Sequence, residues 1–149
     1  TLIETAGDVQ RVLDNCNVRW CLDTGHLAIG GVDPVAFARE AADRVGHVHL
    51  KDVNMSMAGP VLRHEMPIMA GVQGGLFTPL GQGDVAISAV IETLEAAGYA
   101  GWYVIEQDTA ITGPLPAEGE GPITSVTVSM DYLRDVVAPR LEAAARAKS

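Results

Sequence analysis

Three short apolar runs in this 149-residue sequence end on groups that can ligate a metal or move a proton. Trp20-Cys21-Leu22 runs into Asp23-Thr24-Gly25-His26. The run from Val45 to Leu50 carries His47 and His49 and stops at Lys51-Asp52. Trp102 to Ile105 stops at Glu106-Gln107-Asp108. Asp23, His49 and Glu106 at the carboxyl ends of strands form an oxygen–nitrogen–oxygen set that suits Mn²⁺, Co²⁺, Fe²⁺ or Zn²⁺. An ion held there polarises a carbonyl and stabilises an enediolate. Taken singly, each residue has a plainer reading: Asp23 caps a turn, His49 is a hydrogen-bonded strand histidine, Glu106 is a surface carboxylate. All three fall where an apolar run breaks, and that coincidence favours a ligand set.

Other groups lie close in sequence. His26, three residues past Asp23, can donate to a substrate hydroxyl or carbonyl; its plainer reading is a loop histidine. Lys51 can act as an electrophile beside an enolate, or be a solvated charge at a strand end. His47 and His49 are expected on opposite faces of their strand, and the residues alone leave open which one faces the mouth with Lys51. His64 and Glu65 read as ordinary loop residues. Gly81-Gln82-Gly83 looks like a fragment of a phosphate loop, but it lacks the lysine and the third glycine of the known fingerprints.

The elements that must position these groups alternate. A helix is expected from Thr5 to Asn15, with Val9, Val12 and Leu13 on one face. The first strand spans Val18 to Leu22, and its near-continuous apolar character predicts cover on both faces. Cys21 is expected in that buried strand as a small core residue. Asp33-Pro34 opens a helix to about Asp43, with Asp as cap and Pro at the first position. The second strand follows from Val45 to Leu50. Residues 53–82 read as a long irregular loop, with helical turns expected within Leu62 to Met69 and Met69 to Leu76. A helix carrying Ile87, Val90, Ile91 and Leu94 ends before Gly98. The third strand spans Trp102 to Glu106. Thr109 to Pro122 is a Gly- and Pro-rich loop. A last helix runs from Ser125 to about Lys148, kinked or interrupted at Pro139. Strand–helix alternation predicts an α/β fold with parallel pairing.

Composition narrows the function. Hydrophobic residues make up 48% and charged residues 19%, the balance of a globular domain. The net charge of −9 leaves no basic patch for nucleic acid. No run approaches the roughly 20 apolar residues of a membrane span, and no leader is visible, so cytoplasm is the expectation. Cys16 and Cys21 form no CxxC pair.

With LDTGH, HVHLKD, FTPLGQGD and WYVIEQD in this order, the chain resembles the xylose-isomerase-like (β/α)₈ barrel superfamily of sugar-phosphate isomerases and epimerases, nearest its inosose dehydratase branch. The resemblance covers Thr1 to about Leu133. It implies a TIM barrel of which this chain holds the C-terminal portion, about three strands. It implies Mn²⁺ or Co²⁺ on Asp23, His49 and Glu106, which selects His49 over His47. It also implies substrate contact by His26 and Lys51. A further glutamate ligand and proton carrier of the family would precede Thr1, and Glu4 is misplaced to replace it. Three parallel strands leave an open edge, so a marginally stable, incomplete or homo-oligomeric unit is expected.

The resulting expectation is a metal-dependent enzyme of small keto-sugars or keto-polyols. Glu106 and Lys51 are its catalytic candidates and dehydration of 2-keto-myo-inositol its first candidate reaction. Isomerisation or epimerisation of a sugar (phosphate) is the alternative, and a non-catalytic barrel remnant is the third. A metal-dependent phosphodiesterase in the same fold would want more than four histidines and a basic face.

Overall fold

In the computed structural model residue 3 and residues 5–147 are described. Glu4 and the far end of the last helix, Lys148, lie outside the described residues. Among the described residues five strands form two sheets: β1 (Trp20–Asp23), β2 (Val45–Leu50), β3 (Asp52–Val53), β4 (Phe77–Thr78) and β5 (Tyr103–Ile105). β1, β2 and β5 are parallel in the order β1-β2-β5, and β3 pairs antiparallel with β4. The register aligns the strand ends. Asp23 sits opposite His49. Leu50 sits opposite Ile105, and the Glu106 N–H donates to the Leu50 carbonyl at 3.0 Å. The next residues outward are therefore Lys51 and Glu106.

Side chains alternate across this sheet. Leu22, Val45, Val48 and Leu50 are fully buried on the helix side. There they meet Phe37 and Ala38 of a helix at Pro34–Glu40, and Ile87, Val90, Ile91 and Leu94 of a helix at Ile87–Ala96. Each such side chain contributes about 1.5–3 kcal/mol by leaving water. Asp33 caps the first of these helices, with Pro34 at its start, as the residues predict. The opposite face carries Cys21, His47, His49 and Val104. Cover on both faces was expected, but Cys21 is exposed and so is Val104. Cys21 shares the face of Asp23, two residues on, rather than that of buried Leu22.

In chain order the helices are α1 (Ala6–Asn15), α2 (Thr24–Ile29), α3 (Pro34–Glu40), α4 (Met55–Leu62), α5 (Ile68–Gln73), α6 (Ile87–Ala96), α7 (Pro122–Tyr132) and α8 (Ala138–Ala147). Residues 53–82 are more ordered than a loop. Asn54 caps α4 through its side chain, and Val53, Ala58, Leu76 and Phe77 close a second small core with Ile29. Pro139 does not interrupt the last helix. A π turn over Leu133–Val137 joins α7 to α8, with the Ala138 N–H bonding to the Leu133 carbonyl. This wider turn makes room for a ring that would strike the carbonyl one α-turn back. Among the described residues no helix is long and apolar enough to cross a membrane.

Candidate metal centre

The turn after β1 builds the first side of the site. Asp23 is the N-cap of α2, and its Oδ1 accepts the His26 N–H at 2.9 Å. The plainer reading of Asp23 as a cap therefore holds, and it uses one oxygen only. Oδ2 faces the strand ends, 3.7 Å from His49 Nδ1 and 3.9 Å from both Lys51 Nζ and His26 Nε2. Buried Thr24 pins the turn to β2: its hydroxyl donates to the Lys51 carbonyl and accepts the Lys51 N–H, both at 2.8 Å. Gly25 leaves room for the lysine stem, since a Cβ there would lie 2.7 Å from Lys51 Cγ.

Asp23, His49 and Glu106 come together. One ligand atom from each lies within 4.8 Å of the other two. His49 Nδ1 is 2.6 Å from Glu106 Oε2, yet that buried oxygen accepts no hydrogen bond. The two atoms face each other closely enough to share one cation. An unsatisfied buried oxygen is costly in a low-dielectric interior, and a cation is the partner this donor set fits. The expected division of His47 and His49 between faces is overturned. Residues two apart share a face, and the rings lie edge to face with centroids 5.2 Å apart. His49 is nonetheless the one that reaches Asp23 and Glu106.

Lys51 stands differently from its expected place beside substrate. Its side chain is 1% exposed. The ammonium donates to Glu106 Oε1 at 2.9 Å and to Asp108 Oδ2 at 3.0 Å, with His26 Nε2 at 3.4 Å. It lies 4.7 Å from the centroid of the Phe77 ring. Burial works against its charge, but the Glu106 and Asp108 hydrogen bonds hold it above the usual lysine value. Burial also pushes Glu106 up. The Lys51 hydrogen bond and charge, with His49, outweigh that and leave the carboxyl below its usual range. Asp23 goes the other way: burial dominates and raises it, despite the His26 N–H and the Lys51 charge. His26 is half exposed at the rim, where a solute can reach it. Beside Asp23 and His26 opens a cleft of about 830 Å³, walled by Cys21, Leu27, Val61 and Met66.

Several participants went unnoticed in the sequence. Asp108 lies two residues past Glu106 and binds Lys51. Thr24 and Phe77 hold the lysine in place. Asp52 is buried and accepts four backbone N–H groups: Val53 and Gly81 at 2.9 Å, Gly83 and Val85 at 3.0 Å. That explains the glycine-rich turn. A Cβ at Gly83 would collide with Asp52 Oδ1, and Gly81 takes a positive φ of 82°. The LKD and GQGD motifs each signalled a polar turn, but nothing local shows that one binds the other. Glu65 pairs with Arg63, and His64, in an exposed turn, lines the same cleft as Asp23 and His26.

Comparison with known proteins agrees with the fold. The family described as "Xylose isomerase-like TIM barrel" matches residues 1–135. Inosose dehydratase of Geobacillus thermodenitrificans is 38% identical over 120 residues, 77% of this chain and 40% of that protein. Inosose dehydratases of Lacticaseibacillus casei and Clostridium beijerinckii are each 33% identical over the same shares. The chain thus spans 40% of the length of these relatives. On the family match, the parallel sheet and its helices, this chain belongs to the xylose isomerase-like TIM barrel family.

Proposed function

We propose that this chain is the C-terminal part of a barrel and carries the metal centre of a lyase that removes water from a keto-polyol, 2-keto-myo-inositol first among them. The carrying observation is the Asp23–His49–Glu106 triangle with its unsatisfied Glu106 oxygen. The names of the relatives supply the substrate class. Asp23 Oδ2, His49 Nδ1 and Glu106 Oε2 would hold the ion, Mn²⁺ or Co²⁺. When bound, such an ion supplies Lewis-acid polarisation of the ketone. Glu106 serves as ligand and as acid/base for the proton α to the carbonyl. Its other oxygen is tied to Lys51, so its orientation is set before substrate arrives. Lys51, enclosed beneath the site, acts through Glu106. His26, at the rim, hydrogen-bonds a substrate hydroxyl and donates as that hydroxyl departs as water.

Calorimetric titration of the full-length protein with Mn²⁺ tests the centre. Asp23→Ala and His49→Ala should each weaken binding by more than the roughly 10–100-fold typical of losing an outer partner. Binding that survives both changes rejects the site. Mass spectrometry of 2-keto-myo-inositol incubated with the loaded protein tests the reaction. Loss of one water is expected, whereas a product of unchanged mass would point to isomerisation or epimerisation.

A further inference from the structure

We propose that Asp108 is a positioning residue of this centre: it shares the Lys51 ammonium with Glu106, which keeps Glu106 Oε2 free for a cation and matches the charge of the cluster to a divalent ion. The inference rests on the metal reading above.

An ammonium has three N–H groups. Lys51 directs them at Glu106 Oε1, Asp108 Oδ2 and the side of His26, at 2.9, 3.0 and 3.4 Å. The lysine is enclosed, while the Asp108 side chain is 46% exposed. Packing does not require a carboxylate at that position, since solvent already reaches it. Its contact is the ammonium. Ionised, the side chains of Asp23, Glu106, Asp108 and Lys51 together carry two negative charges, the complement of a divalent cation. Remove the charge of Asp108 and two things follow in the same direction. The loaded centre keeps an uncompensated positive charge. Lys51 also loses one of the two carboxylates within hydrogen-bond distance and draws Glu106 more strongly, competing with the ion for the same group.

The test is Mn²⁺ affinity in the full-length protein, measured by calorimetry. Asp108→Asn keeps shape and removes charge, and should weaken binding about 10-fold or more, in the range typical of outer partners. Asp108→Glu should restore affinity to within about threefold of wild type, because it keeps the charge. In a Lys51→Met background the Asp108→Asn step should change affinity by less than about twofold, because the two residues act as a pair. Thermal unfolding of the metal-free Asp108→Asn variant should remain a single cooperative transition, which shows that the variant folds before its Mn²⁺ affinity is read. Wild-type Mn²⁺ affinity in Asp108→Asn, or an equal loss with and without Lys51, overturns the proposal. If Asp23→Ala also binds Mn²⁺ like wild type, the metal reading itself has failed. If Asp23→Ala loses binding and Asp108→Asn does not, only the role of Asp108 has.

Discussion

Two neighbouring residues at the end of β2 divide the labour of this site. Lys51 points to the ligand face and organises Glu106. Asp52 points away and organises the turn at Gly81–Val85. Hydrogen bonds to a charged group contribute about 1.5–3 kcal/mol each, and a buried donor left alone costs about as much. Asp52→Ala strands several N–H groups at once. Urea unfolding should show a loss of about 3 kcal/mol or more, and a loss below about 0.5 kcal/mol would remove Asp52 from its role as an anchor. Asp23 and Glu106 were legible as candidate ligands because each follows an apolar run, and the choice of His49 over His47 came from the family resemblance. Asp52 and Asp108 were not, because their partners lie 29 and 57 residues away in the chain. Exposure of Cys21 was missed for a related reason: an apolar run does not reveal which alternate positions find cover.

At the level of elements, the strand-to-helix turn Asp23-Thr24-Gly25-His26 is the part that tolerates least change. A methyl group at Gly25 would press on the Lys51 stem, with Cβ contacts of 2.7 to 3.0 Å. Gly25→Ala should cost about 1–3 kcal/mol of stability through overpacking. It should also weaken Mn²⁺ binding, because the displaced lysine no longer holds Glu106; unchanged affinity would show that the ligands are set independently of Lys51. The helices with regular spacing, α3 and α6, were readable from their caps and periodicity. Within residues 53–82 the helical turn expected in Met69 to Leu76 corresponds to α5, but β3, β4 and α4 were not foreseen. The β3–β4 pair is two residues long on each strand, and α4 contains both Gly59 and Pro60, so local preference argues against the order that tertiary contacts impose. The π turn before Pro139 was likewise hidden, since only the packed helix shows how the ring is accommodated.

On the scale of the whole molecule, one sheet face is packed and the other is sparsely covered. β1 and β5 form the edges, and Trp102 beside β5 is 78% exposed. Unpaired edges invite further pairing. Sedimentation velocity of the 149-residue chain should show concentration-dependent self-association; a single monomeric species across concentrations would count against it. Alkaline stability is tied to Tyr103. Burial, then the hydrogen bond to Glu95, raises its hydroxyl well above the ordinary tyrosine value. The neutral form is thus favoured by the fold, and its contribution is complete below about pH 10 and fades as pH rises beyond. Tyr103→Phe should flatten that alkaline decline in denaturation curves, and an unchanged decline would assign it to other groups.

The carboxylate seated in the glycine-rich turn has a consequence for ligand choice. Backbone N–H groups in such turns are ready receptors for phosphoryl oxygens, but here Asp52 already occupies them. A phosphorylated sugar finds no vacancy in that cradle and meets a buried negative charge instead. A phosphate group aimed at that turn would gain none of its N–H groups, because the chain's own carboxylate already holds them.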